Sequence, residues 1–185
     1  VVTTQKRRQT SIEVPTAVSA LSGNTMARLN IKQMDEMAAF TPGLQVQIQS
    51  PNNPGYVIRG VTSDGGESYS QPRISVFMDG VSISRSQASV VELYDMERVE
   101  VVKGPQGTLF GRGAEIGAMH LLRNKPTSKL GGEVKLNYGT HNQRGAEGYL
   151  NTPLKEKIAK RFAFSYDAHD GYIDNLAGGK LNGKS

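Results

Sequence analysis

The sequence predicts a small mixed α+β domain, followed by antiparallel strands that each carry one apolar and one polar face. Three observations support this prediction. Short strand-like runs alternate with Gly-, Pro- and Asn-rich stretches over the first two thirds of the chain. Two short helical patterns lie near the start. After Lys125-Pro126 the pattern changes to runs in which apolar and polar residues alternate strictly.

Composition excludes several classes of protein. The chain has 185 residues, of which 37% are hydrophobic and 21% charged, and it contains 21 glycines but no cysteine, so disulfides and thiolate metal sites are excluded. The net charge of +5 is spread along the chain, and the cluster Lys6-Arg7-Arg8 is too short to predict a nucleic-acid surface. No apolar run reaches the roughly 18 residues of a membrane-spanning helix. No signal-peptide pattern is recognised at Val1-Val2.

The first elements are a short strand and a short helix. Ala17-Val18-Ser19-Ala20, after Val14-Pro15, predicts a strand. Ser22 is suited to cap a helix over residues 25–29, because its hydroxyl oxygen can accept a hydrogen bond from a free N–H of the first turn.

A second helix is marked more clearly. Asn30 is the predicted cap and Gln33 stands at the capping-box position. Helical spacing places four apolar residues on one face: Ile31, Met34, Met37 and Ala38. Thr41-Pro42-Gly43 ends the helix, since proline disfavours helical geometry at the residue before it.

The rest of the first domain is predicted to be a sheet with long loops. Strands are predicted at residues 44–48, 56–59, 74–78, 98–103 and 118–122. In the fourth of these, Glu100 and Val102 point away from the face that carries Val99 and Val101. Residues 87–94 predict a short helix packed on the sheet, and the glycines of 104–117 predict tight turns.

Three alternating strands follow, at residues 132–138, 144–151 and 159–169. In the first, Val134, Leu136 and Tyr138 share a face, and in the second Glu147 and Tyr149 do so. In the third, Phe162, Phe164, Tyr166 and Ala168 oppose Arg161, Ser165, Asp167 and His169. Such strands are typical of membrane β-barrels, with lipid on one side and a wet lumen on the other. A soluble sheet with one buried face has the same pattern, so the strands alone leave both interpretations open.

Signals for catalysis and for cofactors are weak. His120, His141 and His169 lack metal-ligand spacing, and His120 is expected to be a packed side chain. Residues 178–185 match the phosphate-binding pattern G-x-x-x-x-G-K-S, but no strand precedes them and no helix follows within the chain, so nucleotide binding is set aside. With no nucleophile–base or paired-carboxylate arrangement, the sequence predicts no enzyme, no cofactor and no metal.

Several motifs occur in a characteristic order. They are Val1-Val2-Thr3-Thr4, Val14-Pro15, Thr41-Pro42-Gly43-Leu44, Ile58-Arg59-Gly60, Phe77-Met78-Asp79-Gly80-Val81, residues 97–105 and 107–112, Asn124-Lys125-Pro126, and Tyr138-Gly139. With these motifs, the chain resembles TonB-dependent outer-membrane receptors from end to end. It departs where many relatives have Gly-Gly-Ala-Ile-Asn-Ile, because residues 116–121 here end in Met119-His120-Leu121. The TonB box also lacks its usual upstream residues.

The resemblance implies three regions: a TonB-box remnant and linker at 1–10, a plug domain at 11–126, and the start of a transmembrane β-barrel at 127–185. In the family, an α+β plug with a small mixed sheet and short helices fills a barrel of about 22 strands, most of which would lie outside this chain. The implied function is energised uptake of a scarce nutrient across the bacterial outer membrane: a ferric siderophore, cobalamin or an oligosaccharide. The alternative is a soluble periplasmic ligand-binding module.

The resemblance also implies partners and site residues. The partners are TonB with its inner-membrane energising complex, outer-membrane lipid, and a solute at the outer face, but no nucleic acid. Contact with TonB is expected at Val1, Val2 and Thr3, which can add as a strand to the partner's sheet. Plug loops facing the ligand are represented by Gln49, Asn52, Ser63, Glu67, Tyr69, Arg85 and Gln87. Ion pairs between plug and barrel are expected at Arg59, Glu97, Arg98, Glu100 and Lys103.

Overall fold

The structure is a computed structural model that describes residues 2, 16–50, 53–62, 73–83, 91–111, 113–155, 158–170, 173–174 and 180–181. The chain folds into two compact units, Val1–Asn124 and Lys125–Ser185, called here the N-terminal and C-terminal units. In the described part of the chain, no helix is both long and apolar enough to cross a membrane.

The N-terminal unit is α+β, as the sequence predicts. Its elements are β1 (Ala17–Ser22), α1 (Gly23–Arg28), α2 (Met34–Ala39), β2 (Leu44–Ser50), β3 (Asn53–Ile58), β4 (Val61–Thr62), β5 (Ile74–Met78), β6 (Val81–Ser82), β7 (Met96–Lys103), α3 (Gly107–Phe110) and β8 (Gly117–Arg123).

These strands form two sheets. The larger has the order β1-β7-β8-β5-β6, and the smaller has the order β2-β3-β4. Strands β5 and β8 pair in parallel, whereas the other neighbours are antiparallel, so the larger sheet is mixed. Two-residue turns join β3 to β4 and β5 to β6, and the non-glycine residues Arg59 and Asp79 adopt positive φ in them, each followed by a glycine.

The core lies on one face of the larger sheet. Val99, Val101, Met119 and Leu121 point into it from β7 and β8, and α2 packs its own apolar face there. Burial of each such side chain stabilises the fold by about 1.5–3 kcal/mol. The opposite face of the sheet is also covered, because Glu100, Val102 and Ala118 are fully buried.

The helix caps confirm one prediction and correct another. The Ser22 hydroxyl oxygen accepts a hydrogen bond from the Thr25 N–H at 3.2 Å, as expected of a cap. The predicted Asn30 cap of α2 is wrong, because the helix begins after Gln33, and the Glu36 carboxylate accepts from the Gln33 N–H at 3.1 Å. Asn30 instead lies in a turn with φ of 53°.

Two further predictions need correction. The helix expected at 87–94 is absent over residues 91–94, which are not helical, and its remaining residues lie outside the described part of the chain. There the Leu93 N–H donates to the Lys32 carbonyl at 2.8 Å, so a tertiary hydrogen bond replaces a helical one. Helix α3 was not predicted, because glycine is a poor helix former and its four residues lie in a glycine-rich run.

The C-terminal unit is an antiparallel meander. Its strands are β9 (Gly131–Tyr138), β10 (Arg144–Lys155) and β11 (Ile158–Ala168), in the order β11-β10-β9. A second pair, β12 (Ile173–Asp174) and β13 (Lys180–Leu181), is also antiparallel. The ends of β9 and β11 lie within one residue of the predicted ends, so that His169, predicted in the third strand, lies just beyond β11. Strand β10 begins where predicted and continues four residues past its predicted end at residue 151.

Candidate functional site

The predicted ligand-facing residues mostly fall outside the described part of the chain. These are Asn52, Ser63, Glu67, Tyr69, Arg85 and Gln87. Gln49 lies in β2, and only its backbone is described. The ligand-facing role of these residues therefore stays a prediction.

Of the three residues expected to contact TonB, the structure describes Val2. Its side chain is 2% exposed and its backbone forms an isolated β-bridge. Val1 and Thr3 lie outside the described residues. A buried Val2 has its apolar surface removed from water, which stabilises the packed arrangement over a free terminus.

A row of charged residues on β7 forms ion pairs within the N-terminal unit. Arg98 Nε lies 2.6 Å from Glu100 Oε1, and Arg98 also pairs with Glu97. The Glu100 side chain is fully buried and that of Arg98 is 13% exposed. Because both charges are largely removed from water, each depends on the other for compensation.

The local geometry of β7 explains this arrangement. Residues 98, 100 and 102 alternate with Val99 and Val101, so Arg98 and Glu100 share the face opposite the core. The β7–β8 register shifts between Met96 and Arg98, which marks an irregularity at Glu97. Three of the five residues predicted to pair with a barrel wall thus pair with one another.

The other two, Arg59 and Lys103, are neighbouring cations. Lys103 Nζ donates to Ser19 Oγ at 2.7 Å. Partial burial lowers the pKa of Lys103, and the positive charge of Arg59 lowers it further. Within the residues that the structure describes, no carboxylate pairs with either cation.

His120 packs in an aromatic cluster beside the charged row, in agreement with its predicted role as a packed side chain. Its ring lies 5.1 Å from the Phe77 ring and 4.6 Å from the Phe110 ring, measured between centroids. Its Nε2 is buried without a hydrogen-bond partner. Burial lowers the pKa of His120, and Glu100, its partner in the β7–β8 register, opposes this effect in part.

The C-terminal sheet has one continuous apolar face that is exposed. Pairing places Val134, Leu136 and Tyr138 of β9 on the same face as Leu150 of β10 and Phe162, Phe164 and Tyr166 of β11. Tyr138 is 81% exposed and Phe162 68% exposed. An uncovered apolar surface of this extent marks a site of contact with a membrane or a partner.

The opposite face of this sheet is polar. Lys135 Nζ lies 3.6 Å from Glu133 Oε1 and 3.7 Å from Glu147 Oε1. The Arg161 guanidinium lies 3.8 Å from the centroid of the Tyr149 ring, within range of a cation–π contact. Glu147 and Tyr149 share this face, as predicted, so the sheet separates an apolar side from a hydrated one.

Across the described ranges, no group of three or more His, Asp or Glu side chains is placed to hold a metal ion.

Sequence reasoning overlooked two polar residues that hold the backbone, Asp79 and Asn151. For Asp79 the available signal was the Asp-Gly pair between two strands, which marks a hairpin turn; for Asn151 there was none beyond a polar residue in a strand.

Comparison with known proteins agrees with these features. Residues 10–118 match the family model described as TonB-dependent Receptor Plug Domain. The chain is 33% identical over 159 residues to the ferrioxamine B receptor of Salmonella typhimurium, which covers 82% of this chain and 22% of that protein. It is 26% identical over 165 residues to the ferripyoverdine receptor of Pseudomonas aeruginosa, covering 88% of this chain and 20% of the relative.

The fold is also similar to that of solved structures. The ferric yersiniabactin uptake receptor of Yersinia pestis superposes with a TM-score of 0.82 at 23% identity, covering 91% of this chain and 27% of the receptor. The chain thus spans about a fifth of the length of the curated relatives it matches.

Proposed function

The chain belongs to the TonB-dependent receptor plug family, and from this premise we propose that the whole protein takes up a ferric siderophore with energy delivered through TonB. Membership places the protein in the outer membrane of a Gram-negative bacterium. The N-terminal unit is the plug, and β9 to β11 are antiparallel strands of the accompanying barrel.

The main support for this proposal is the C-terminal sheet of β9 to β11, which has one apolar face and one polar face. In a soluble periplasmic binding module, the apolar row of β9 and β11 would be covered by another layer of the same domain. Here Tyr138 and Phe162 are more than two thirds exposed, so nothing in the described chain covers them. Contact with lipid accounts for the exposed apolar face, and contact with water accounts for the polar face that carries Lys135 and Arg161.

The nature of the ligand is proposed from the relatives. Those compared above are receptors for ferrioxamine B and ferripyoverdine, and another is a ferrichrome outer-membrane transporter. We therefore propose a ferric siderophore ahead of cobalamin or an oligosaccharide, held at the outer face by plug loops that include Tyr69 and Arg85. That the relatives are receptors and transporters supports a role without catalysis.

Coupling to TonB is proposed at Val1, Val2 and Thr3. A strand added to a partner's sheet edge needs free backbone N–H and C=O groups. Val2 is buried, so it has to leave its packed position before it can pair with TonB. The proposed cycle therefore begins with release of this segment, followed by a pull transmitted from the inner-membrane complex.

The plug is held in place, in our proposal, by Arg59 and Lys103. These neighbouring cations repel each other, and Lys103 is partly desolvated. A carboxylate on the barrel wall would offset the repulsion between the two cations and the desolvation of Lys103. An opposite charge within about 4–6 Å favours the charged form of such a group. Arg98 already pairs with Glu97 and with Glu100 inside the plug, so we assign these three residues the internal role.

The proposal is tested with the full-length protein in an iron-starved bacterium that lacks its own siderophore receptors. We expect uptake of radioactive iron from ferrioxamine B, ferrichrome or ferripyoverdine in cells with TonB and none in cells without it. Val2→Pro should abolish uptake, since proline removes the N–H needed for strand pairing, whereas Val2→Ile should retain it. Uptake that is independent of TonB, or a protein that stays soluble without detergent, would contradict the assignment.

A further inference from the structure

The apolar face of the C-terminal sheet carries a positive charge at each end. Arg144 begins β10 and pairs with Tyr138 of β9, whereas Lys160 of β11 pairs with Thr152 near the far end of β10. Paired residues of antiparallel strands point to the same side of a sheet, so both cations share the apolar face. Both side chains are exposed, and the residues between them on this face are uncharged.

The carboxylates of the same strands lie on the other face. Glu133, Glu147 and Asp167 are the acidic residues of β9 to β11, and the register places all three on the polar side. Among the residues that the structure describes, no carboxylate pairs with Arg144 or Lys160. The apolar face is therefore complementary to a partner that is apolar in the middle and anionic at its edges.

The distance between the two cations matches a lipid bilayer. Thr152, the partner of Lys160, lies eight residues beyond Arg144 on β10, which corresponds to about 27 Å along an extended strand. Strands of membrane barrels tilt by roughly 35–45°, which reduces this distance to about 20 Å along the membrane normal, against an apolar band of about 25 Å. Long basic side chains at the edge of such a band extend to the headgroups.

The lengths of the connections indicate which edge is the outer one. Residues 156–157 join β10 to β11, whereas the longer loop 139–143 joins β9 to β10. Membrane barrels have short turns on the periplasmic side and longer loops on the outside. Arg144 follows the longer loop, so it belongs to the outer edge of the apolar face, and Lys160 belongs to the inner edge.

The loop before Arg144 holds its guanidinium in place. Arg144 Nε and Nη2 both donate to Asn142 Oδ1, at 3.0 and 2.8 Å. The backbone of the loop is closed by hydrogen bonds from the Gly139 N–H to the Gln143 carbonyl at 3.0 Å and from the Gln143 N–H to the Thr140 carbonyl at 3.1 Å. A guanidinium has five N–H donors, so the contact with Asn142 orients the group and leaves other donors for a ligand.

The neighbours of Arg144 leave space and offer a second donor. Ala168 of β11 pairs with Arg144 on one side and places only a methyl group there. Tyr138, on the other side, is 81% exposed. Tyrosine is favoured at the boundary between lipid and water, because its ring is apolar and its hydroxyl is polar. A phosphate at this edge can accept hydrogen bonds from the guanidinium and from the phenol.

We propose that Arg144, oriented by Asn142 and flanked by Tyr138, binds a lipid A phosphate of lipopolysaccharide in the outer leaflet. This inference rests on the proposed function, in which β9 to β11 belong to an outer-membrane barrel. Lipopolysaccharide forms the outer leaflet of such membranes, and the phosphates of its lipid A lie directly above the acyl chains. The site recognises both parts, because the guanidinium pairs with the phosphate while the apolar row below it contacts the chains.

The test uses the full-length receptor, purified in detergent without lipopolysaccharide and kept in a chelator so that divalent cations do not bridge phosphates. Lipid A with its phosphates, and lipid A from which they have been removed enzymatically, are titrated against it. The phosphorylated lipid should bind wild type at least about tenfold more tightly, and Arg144→Gln should abolish this difference. Lys160→Gln, which removes a cation from the other end of the same face, is the matched control and should keep it.

Equal affinities of the two lipids for wild type, or equal losses in the two variants, would overturn the site. Competition by phosphatidylglycerol as strong as that by phosphorylated lipid A would overturn the assignment to lipopolysaccharide. A full-length protein that stays soluble without detergent would instead reject the barrel, and with it the proposed function.

A second variant tests the orientation of the guanidinium while its charge is kept. Asn142 has φ of 55°, so Asn142→Gly removes the acceptor without straining the loop. The preference for phosphorylated lipid A should fall several-fold, because the free arginine side chain loses conformational entropy when it binds. An unchanged preference would show that charge alone attracts the lipid, which would contradict a site built on Asn142 and Arg144.

Discussion

Replacement of Arg98 by methionine should destabilise the plug strongly. The change removes the guanidinium that lies 2.6 Å from Glu100, and leaves that carboxylate fully buried without this charge partner. Breaking a buried pair from one side costs about 3–5 kcal/mol. Glu100→Gln should cost less, about 1–2 kcal/mol, because the amide oxygen still accepts from Arg98 and Arg98 keeps its contact with Glu97.

The assay is amide hydrogen exchange along β7 and β8 in the full-length receptor in detergent. Each 1.4 kcal/mol corresponds to about a tenfold change in opening, so Arg98→Met should accelerate exchange by a factor on the order of a hundred to a thousand or more. Arg73→Met is the matched control, because Arg73 pairs with Glu115 at 3.0 Å but both side chains are at least half exposed. The reasoning fails if Arg98→Met has no larger effect than Glu100→Gln, or than the control.

Two further changes should have measurable effects. Burial lowers the pKa of His120 below its ordinary 6.5, so the unfolded state binds the proton more readily; stability of the plug should be full above this pH and fall below it. His120→Asn should flatten this dependence in pH-resolved thermal unfolding, and an unchanged slope would refute the assignment to His120. A side-chain carbon at Gly148 would lie 2.5 Å from the Glu133 carbonyl oxygen and 3.0 Å from the Phe164 ring, whereas one at Gly131 would meet nothing within 4 Å. Gly148→Ala should lower the temperature at which the receptor loses its compact form in electrophoresis, by an amount equivalent to about 1–3 kcal/mol, and Gly131→Ala should not; equal shifts would contradict this.

Local signals predicted most of the elements, and they failed where two signals competed. Asn30 and Gln33 both stand before the apolar residues of α2, and asparagine has the stronger intrinsic preference for a cap. The carboxylate of Glu36 decided the outcome, because it reaches the N–H groups of Lys32 and Gln33 at 2.6 and 3.1 Å. A reading that gave weight to an acidic residue three positions after Gln33 would have placed the start correctly.

Pairing between distant strands lies beyond such signals. The parallel register of Ile74 with Gly117 joins residues more than forty positions apart, and no turn fixes it. Packing between distant segments also constrains Gly117, since a side-chain carbon there would lie 2.5 Å from the Val102 carbonyl oxygen and 2.8 Å from the Ile58 side chain. Packing of three strands around one glycine is a tertiary property that periodicity does not contain.

The charged residues illustrate the same limit at the site. Alternation along β7 predicted correctly that Glu100 points away from Val99 and Val101, but it did not predict that the second face of the sheet is covered. Because that face is buried, the Glu100 carboxylate requires a positive charge beside it, and Arg98 on the same face supplies that charge. Arg59 and Lys103 stand in the opposite situation, because burial and the positive charge of Arg59 lower the pKa of Lys103 and no described carboxylate offsets this effect. Charged residues of the plug therefore serve two purposes: the pairs of Arg98 with Glu97 and Glu100 hold the sheet together, whereas Arg59 and Lys103 stay our proposed contacts with an acidic surface of the barrel.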